Sequence, residues 1–128
     1  MSNPRYTPRS YVLPARDFGR RRHTDWLEPD ASWTPQEVAH LEASQLQHRI
    51  AYGVVEEFLP SSEIRTITAL AAEVDIPYDR LLRMLNGRVV MQLEDVSRLR
   101  KLIGEPLGLW IASSREWQQS THWPDLEK

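Results

Sequence analysis

The stretch TITALAAEVDIPYDRLLRMLNGR, residues 66–88, decides the fold. Apolar residues recur at helical spacing on both sides of Asp75, which predicts two short helices, over 66–74 and 77–86, joined by a tight turn. Ala71 is small enough to let the helices approach each other, and Asn86-Gly87 is typical of a helix end. The remaining apolar positions would pack between the two helices: Leu70, Val74, Ile76, Leu81 and Met84.

This arrangement is a helix-turn-helix, in which the first helix braces the second against the major groove of DNA. The spacing of apolar and turn residues over 66–88 resembles that of the lambda-repressor-like, Cro-type DNA-binding family. The resemblance extends over about residues 45–117. In that family the turn residue is usually Gly, whereas this chain has Asp75, which tolerates the left-handed conformation better than most residues. Pro77 replaces the Ser, Thr or Gln that usually opens the second helix, so a side-chain cap is lost. The resemblance implies an all-α bundle of about five to six helices.

A recognition helix over 77–86 would turn its polar side chains towards the base edges. Arg can bind guanine through two hydrogen bonds, Asp can accept one from cytosine, and a Tyr ring can touch a thymine methyl group. We expect Arg83 and Asp79 to read bases, within a predicted set of Tyr78, Asp79, Arg80, Arg83 and Asn86. The predicted contacts with the DNA backbone are Arg65, Thr66, Thr68 and Arg88. The alternative is a pair of amphipathic core helices with ordinary solvated charges.

A longer helix is predicted to begin after Thr34. Thr34 can cap it, Pro35 suits its first position, and Glu37 can reach back to the backbone N–H of the cap. Its apolar stripe continues to position 59, but the step from Leu41 to Leu46 is out of phase. One bent helix and two separate helices therefore both remain open.

Three regions follow from these patterns. The helical domain is predicted to comprise residues 34–117, with further helices over 92–103 and 106–117, and residues 118–128 form a C-terminal tail. Residues 1–33 are interrupted by four prolines and have no helical period, which predicts an extended N-terminal arm.

The arm is basic, because residues 1–23 carry six arginines against Asp17 alone. A narrow minor groove concentrates negative potential, so an arm beside a helix-turn-helix is expected to enter it and to favour A·T pairs. The arginines expected there are Arg16, Arg20, Arg21 and Arg22. A disordered solubilising tail is the alternative.

Composition adds no general attraction to nucleic acid, because the formal net charge is −2 and residues 24–63 carry eight acids against Arg49 alone. The chain has no Cys, and its four His lack the spacing of zinc proteases. No catalytic motif or phosphate-binding glycine loop is present. We therefore expect no metal, no cofactor, no small-molecule ligand and no enzymatic activity.

No apolar run approaches the roughly 20 residues of a membrane span, and the arginine-rich start is unlike a secretory signal. These features predict a cytoplasmic protein of a bacterial host that associates with the nucleoid and not with a membrane. The five tryptophans all lie outside the helix-turn-helix. They either clasp the flanking segments to the core or form a dimer or partner surface.

The predicted function is transcriptional repression through a double-stranded DNA operator. The small size and Cro-type register are similar to those of immunity repressors of temperate phages, including phages of actinobacterial hosts. A monomer on an asymmetric site and a homodimer on a palindrome both remain open. The alternatives are an antitoxin-type autoregulator, whose partner could contact the acidic segment 34–63, and a protein-interaction module that does not read DNA.

Overall fold

The computed structural model describes residues 6–112. Within them the chain is mostly helical, with five α-helices and one pair of two-residue strands, in agreement with the predicted all-α class. The helices are α1 (Pro35–Tyr52), α2 (Ile67–Val74), α3 (Tyr78–Leu85), α4 (Leu93–Ile103) and α5 (Glu105–Trp110). The closing helix was predicted over 106–117, but it ends at Trp110, and residues 111–112 form a turn, so that prediction is wrong in its C-terminal bound. Residues 113–117 and the tail 118–128 lie outside the described residues.

The first helix begins with the predicted capping box. Thr34 Oγ1 accepts a hydrogen bond from the Glu37 backbone N–H at 3.1 Å, and Glu37 Oε1 accepts one from the Thr34 backbone N–H at 2.8 Å. After Tyr52 the helix continues through a π-helical stretch, Gly53–Phe58, and a last turn, Leu59–Ser61. The structure therefore has one irregular helix here and not two.

The turn between α2 and α3 has the conformation that Asp75 was expected to tolerate. Thr66 caps α2 by accepting a hydrogen bond from the Ala69 backbone N–H at 3.1 Å. Asp75 ends that helix in the left-handed region, with φ 58° and ψ 47°. Pro77 is extended, with φ −55° and ψ 139°, so α3 begins at Tyr78 and not at the proline.

A Schellman motif ends α3. The Gly87 N–H donates to Met84 O at 3.2 Å, and the Arg88 N–H donates to Arg83 O at 2.9 Å. Gly87 has a φ of +77°, and an added Cβ would lie 2.6 Å from the Phe18 ring. Glycine is required at this position both by the backbone conformation and by the ring that packs on it.

The core lies between α1 and the four shorter helices. All the apolar positions that were predicted to pack in the helix pair are buried: Leu70, Val74, Ile76, Leu81 and Met84. Side chains from the other helices complete the cluster, among them Ile50, Val54, Leu99, Leu107 and Trp110. The helix pair is therefore held against the rest of the chain by an apolar interior.

Three consecutive polar residues of α1 are also buried: Gln47, His48 and Arg49. Each of them binds the backbone of a different part of the chain. Gln47 binds the end of α3 and the loop after it, and His48 binds the N-terminal residues. Arg49 Nε donates to the backbone oxygen of Trp110, the last residue of α5, at 2.9 Å.

Residues 6–33, which we call the N-terminal segment, are folded, and the prediction of an extended arm is wrong for them. The side chains of Val12 and Phe18 are each 1% exposed. Burial of such a side chain stabilises the folded state by about 1.5–3 kcal/mol, which holds an irregular segment without helical periodicity. The segment contains the 3₁₀ turns Pro8–Tyr11 and Ala15–Asp17 and the antiparallel strands β1 (Val12–Leu13) and β2 (Asp25–Trp26).

Hydrogen bonds donated by backbone N–H groups join the N-terminal segment to the end of α3 and to α1. The Arg9 N–H donates to Gly87 O at 2.8 Å. The Gly19 N–H donates to His48 Nδ1, also at 2.8 Å. The ring of Trp26 meets His48 edge to face, as expected for a tryptophan that clasps a flanking segment to the core.

Burial lowers the pKa of His48 from 6.5 to about 4, because the charged imidazolium loses its hydration in the interior. Protonation of Nδ1 would also remove the acceptor of the Gly19 hydrogen bond. The neutral form of His48 therefore holds the N-terminal segment in place.

We expect the free energy of unfolding to fall as the pH drops from 6.5 towards 4. Over this range the unfolded chain binds a proton at His48 that the folded chain excludes, so acid favours unfolding, by at most about 3 kcal/mol. Urea titrations at several pH values measure the effect. His48→Asn keeps a hydrogen-bond acceptor but has no titrating group, so its unfolding should depend less on pH. Equal pH dependence of the two proteins would contradict this role.

Gly53 provides the space in which Trp110 packs on α1. An added Cβ at Gly53 would lie 2.2 Å from the Trp110 ring, which is much closer than van der Waals contact. Gly108, in α5, has no neighbour within 4 Å of an added Cβ. The two glycines therefore differ in the space around them.

Gly53→Ala should lower the free energy of unfolding by about 1–3 kcal/mol or more, because the methyl group displaces a buried indole. Gly108→Ala is the matched control and should be neutral or stabilising by about 0.5–1 kcal/mol, since alanine favours a helix. Thermal unfolding followed by circular dichroism measures both. A Gly53→Ala protein as stable as the control would refute the packing.

Candidate functional site

The helix α3 has two distinct faces. Leu81, Met84 and Leu85 are buried against the core. On the opposite side Tyr78, Asp79 and Arg83 are exposed, with Tyr78 44% accessible. A short helix with one face in the core thus presents an aromatic ring, a carboxylate and a guanidinium to solvent.

Arg80 is held by the fold. It forms an ion pair with Asp95 at the start of α4, and the same carboxylate oxygen accepts a hydrogen bond from the Gln92 backbone N–H at 2.7 Å. The Asp95 side chain is only 7% exposed, so removal of Arg80 would leave a buried carboxylate without its cationic partner. This position favours a structural role for Arg80 over the predicted base contact.

Asn86 lies at the C-terminal end of α3, where it is half-buried. Its backbone N–H donates to Leu82 O at 3.0 Å and continues the helical hydrogen bonding by one residue. Its predicted contact with a base is untested and remains a prediction.

The residues predicted to contact the DNA backbone are all exposed: Arg65, Thr66, Thr68 and Arg88. Arg65 and Thr66 precede α2, Thr68 lies in its first turn, and Arg88 follows α3, so the set lies at the two ends of the helix pair. Arg65 has a positive φ of 67°. The Thr66 hydroxyl oxygen caps α2 by accepting a hydrogen bond, which leaves its O–H group able to donate to a phosphate.

The arginines predicted for the minor groove belong to the folded N-terminal segment. Arg16, Arg20 and Arg21 are exposed, and Arg21 Nε lies 3.7 Å from an Asp17 carboxylate oxygen. Arg22 is different, because its side chain is only 13% exposed and lies 3.8 Å from Glu57 of the π-helical stretch. The prediction that Arg22 lies in the minor groove is wrong, since its guanidinium packs inside the protein.

Gln47 positions the end of α3, a role that our sequence analysis missed. Its Nε2 donates to Met84 O and to Val89 O, each at 2.9 Å, and its Oε1 accepts from the Met91 N–H at 2.8 Å. One amide therefore fixes both the last turn of α3 and the loop that follows. The sequence held one signal of this role: Gln47 lies on the same helix face as the apolar residue Ile50, where a buried polar side chain needs a partner.

Residues 6–112 contain no group of three or more His, Cys, Asp or Glu side chains that could hold a metal ion. None of the helices in this range is long and apolar enough to cross a membrane.

No protein-family model, curated protein or solved structure matches the chain. A function must therefore be inferred from the residues and contacts described above.

Gln47→Leu should lower the free energy of unfolding by at least about 2 kcal/mol, because each buried backbone group left unpaired costs about 1–3 kcal/mol. Gln45→Leu, at a half-buried position of the same helix, should change it by no more than about 0.5 kcal/mol. Urea unfolding compares the two. Equal losses would mean that the amide of Gln47 does not hold α3.

Proposed function

We propose that this protein is a sequence-specific, double-stranded DNA-binding transcriptional repressor. In this proposal α2, the turn at Asp75 and α3 form a helix-turn-helix of the lambda-repressor-like type. The observation that carries the proposal is the division of α3 into a buried apolar face and an open face with Tyr78, Asp79 and Arg83.

The open face of α3 has the chemistry for reading bases. An α-helix with its side chains is about 10–12 Å across, which fits a major groove about 12 Å wide. Arg83 would bind guanine, Asp79 would accept a hydrogen bond from cytosine, and Tyr78 would contact a thymine methyl group or a phosphate.

Rigid support of α3 favours the same function, because hydrogen bonds to bases demand a fixed helix orientation. Gln47 holds the C-terminal end of the helix, and the pair of Arg80 with Asp95 joins it to α4. On the other side of the turn, Arg98 Nη1 donates to Asp75 O at 2.9 Å. We therefore assign Arg80 to positioning α3.

The biological setting that we propose is a DNA operator in a bacterial cytoplasm, with repression of a temperate phage as the role. The predicted backbone contacts at the two ends of the helix pair would bind phosphates on either side of the major groove. A homodimer would bind two such sites about one helical turn apart, about 34–36 Å, whereas a monomer would bind one.

A protein-interaction module is the competing proposal, whether alone or as an antitoxin-type autoregulator. The observation that favours it is the exposure of large apolar side chains, with Leu93 84% and Leu109 58% accessible. Exposed apolar groups of this kind are more typical of contacts with proteins than of contacts with phosphates.

Selection of bound duplexes from a random library tests the proposed function. We expect one enriched sequence, bound at least about 10³-fold more tightly than a scrambled duplex at physiological salt. The symmetry of that sequence distinguishes a monomer from a dimer. A protein that enriches no sequence would contradict specific recognition and favour the interaction module.

Arg83→Ala and Arg80→Ala form a matched pair on α3. Arg83→Ala should weaken binding to the selected duplex by about 1–3 kcal/mol and relax the preference at one base pair, with stability unchanged. Arg80→Ala should lower the free energy of unfolding, because Asp95 is buried and loses its partner. Fluorescence anisotropy measures the affinity for the duplex, and urea unfolding measures the stability of each variant. If Arg83→Ala retained full affinity and specificity, α3 would not be the reading helix.

A further inference from the structure

The backbone of the N-terminal segment contacts the end of α3 at two places, and an arginine lies at or next to each of them. The Arg9 N–H donates to Gly87 O at 2.8 Å, which places the backbone of Arg9 next to the peptide that joins Gly87 to Arg88. Gly19 packs on the last turn of α3, where an added Cβ would lie 2.7 Å from a backbone oxygen. Arg20 is the next residue after that contact. We call Arg9, Arg20 and Arg88 the arginine surface.

The arginine surface has no acidic partner in the part of the chain that the structure describes. No carboxylate oxygen of the described residues lies within 4.0 Å of the guanidinium nitrogens of these three side chains. Arg20 and Arg88 are exposed, and Arg9 is half-buried. By contrast, Arg21 and Arg80 each have a carboxylate nearby. Guanidinium groups without a carboxylate partner keep their donors open to an anion from outside the protein.

We propose that the arginine surface binds phosphate groups of the DNA backbone beside the bases that α3 reads. The N-terminal segment is then a rigid part of the DNA-binding surface, and Arg9 belongs to it. This inference rests on the proposed function, because it takes DNA as the ligand.

Phosphates fit the geometry better than a minor groove does. An arm that reads the minor groove must insert extended chain, whereas the backbone N–H groups of Arg9 and Gly19 are fixed by hydrogen bonds to Gly87 O and His48 Nδ1. Exposed guanidinium groups can reach phosphate oxygens without any movement of the backbone, and their planar fork binds two of them. A folded segment also loses no chain entropy when it binds.

The salt dependence of binding tests the proposal. Single variants Arg9→Gln, Arg20→Gln and Arg88→Gln are compared with the wild-type protein on the selected duplex and on a scrambled duplex. Each substitution removes one charge from a side chain. In Arg9→Gln the backbone N–H that donates to Gly87 O is kept. Arg100→Gln is the control, because Arg100 is exposed on α4 about two helical turns beyond its start.

We expect the slope of log affinity against log salt to become less steep by about 0.9 for each phosphate that a variant no longer neutralises, on both duplexes. Between 50 and 200 mM salt the wild-type protein should lose about 3.5-fold more affinity than each variant. Arg100→Gln should keep the wild-type slope. Unchanged slopes in all three variants would overturn the arginine surface even if the selected duplex is bound specifically.

A second arm of the experiment distinguishes phosphates from the minor groove. The A·T pairs that flank the selected site are exchanged for G·C pairs, and affinity should change by less than about twofold, because phosphates carry no sequence information. A loss of about tenfold or more would show minor-groove reading and overturn the proposal. If the wild-type protein shows no sequence preference, the proposed function fails. The slopes on the scrambled duplex then still decide whether the arginine surface binds phosphate.

Discussion

The structure depends on three neighbouring polar side chains that α1 carries into the interior. Successive residues of a helix point about 100° apart, so Gln47, His48 and Arg49 face three different directions. Each finds a backbone partner there: the end of α3, the N-terminal segment and the end of α5. A buried backbone group that loses its partner costs about 1–3 kcal/mol, and therefore these contacts favour one position of each surrounding element relative to α1. The orientation of α3, and with it the candidate surface, follows from this arrangement.

Sequence reasoning succeeded where structure is determined locally. The capping box at Thr34, the left-handed turn at Asp75 and the helix end at Gly87 depend on residues within a few positions, and all three were predicted. The apolar positions of the helix pair were also predicted, because their spacing encodes one buried face per helix. The out-of-phase stripe of α1 now has an explanation: a helix that is surrounded by other elements buries polar residues as well, so its apolar period is weak.

The N-terminal segment could not be predicted in this way. Its contacts join residues far apart in sequence, such as Arg9 with Gly87, and its 3₁₀ turns and two-residue strands have no period to detect. Prolines and arginines made the segment resemble an extended arm. The one signal of a folded segment was the presence of large apolar residues, among them Val12 and Phe18, which an arm in solvent would have no reason to carry.

Charge counting from sequence has the same limitation, because it cannot tell which arginines serve the fold. Arg49 and Arg98 bind backbone oxygens, Arg80 binds Asp95, and Arg22 lies in the interior beside Glu57. These four side chains are bound within the protein, although each adds to the formal charge. The basic groups that remain open include Arg20 and Arg88, whose backbones lie next to the end of α3. A chain with a net charge of −2 can therefore still carry a locally basic surface, because attraction to a ligand depends on which charges face it and not on their sum.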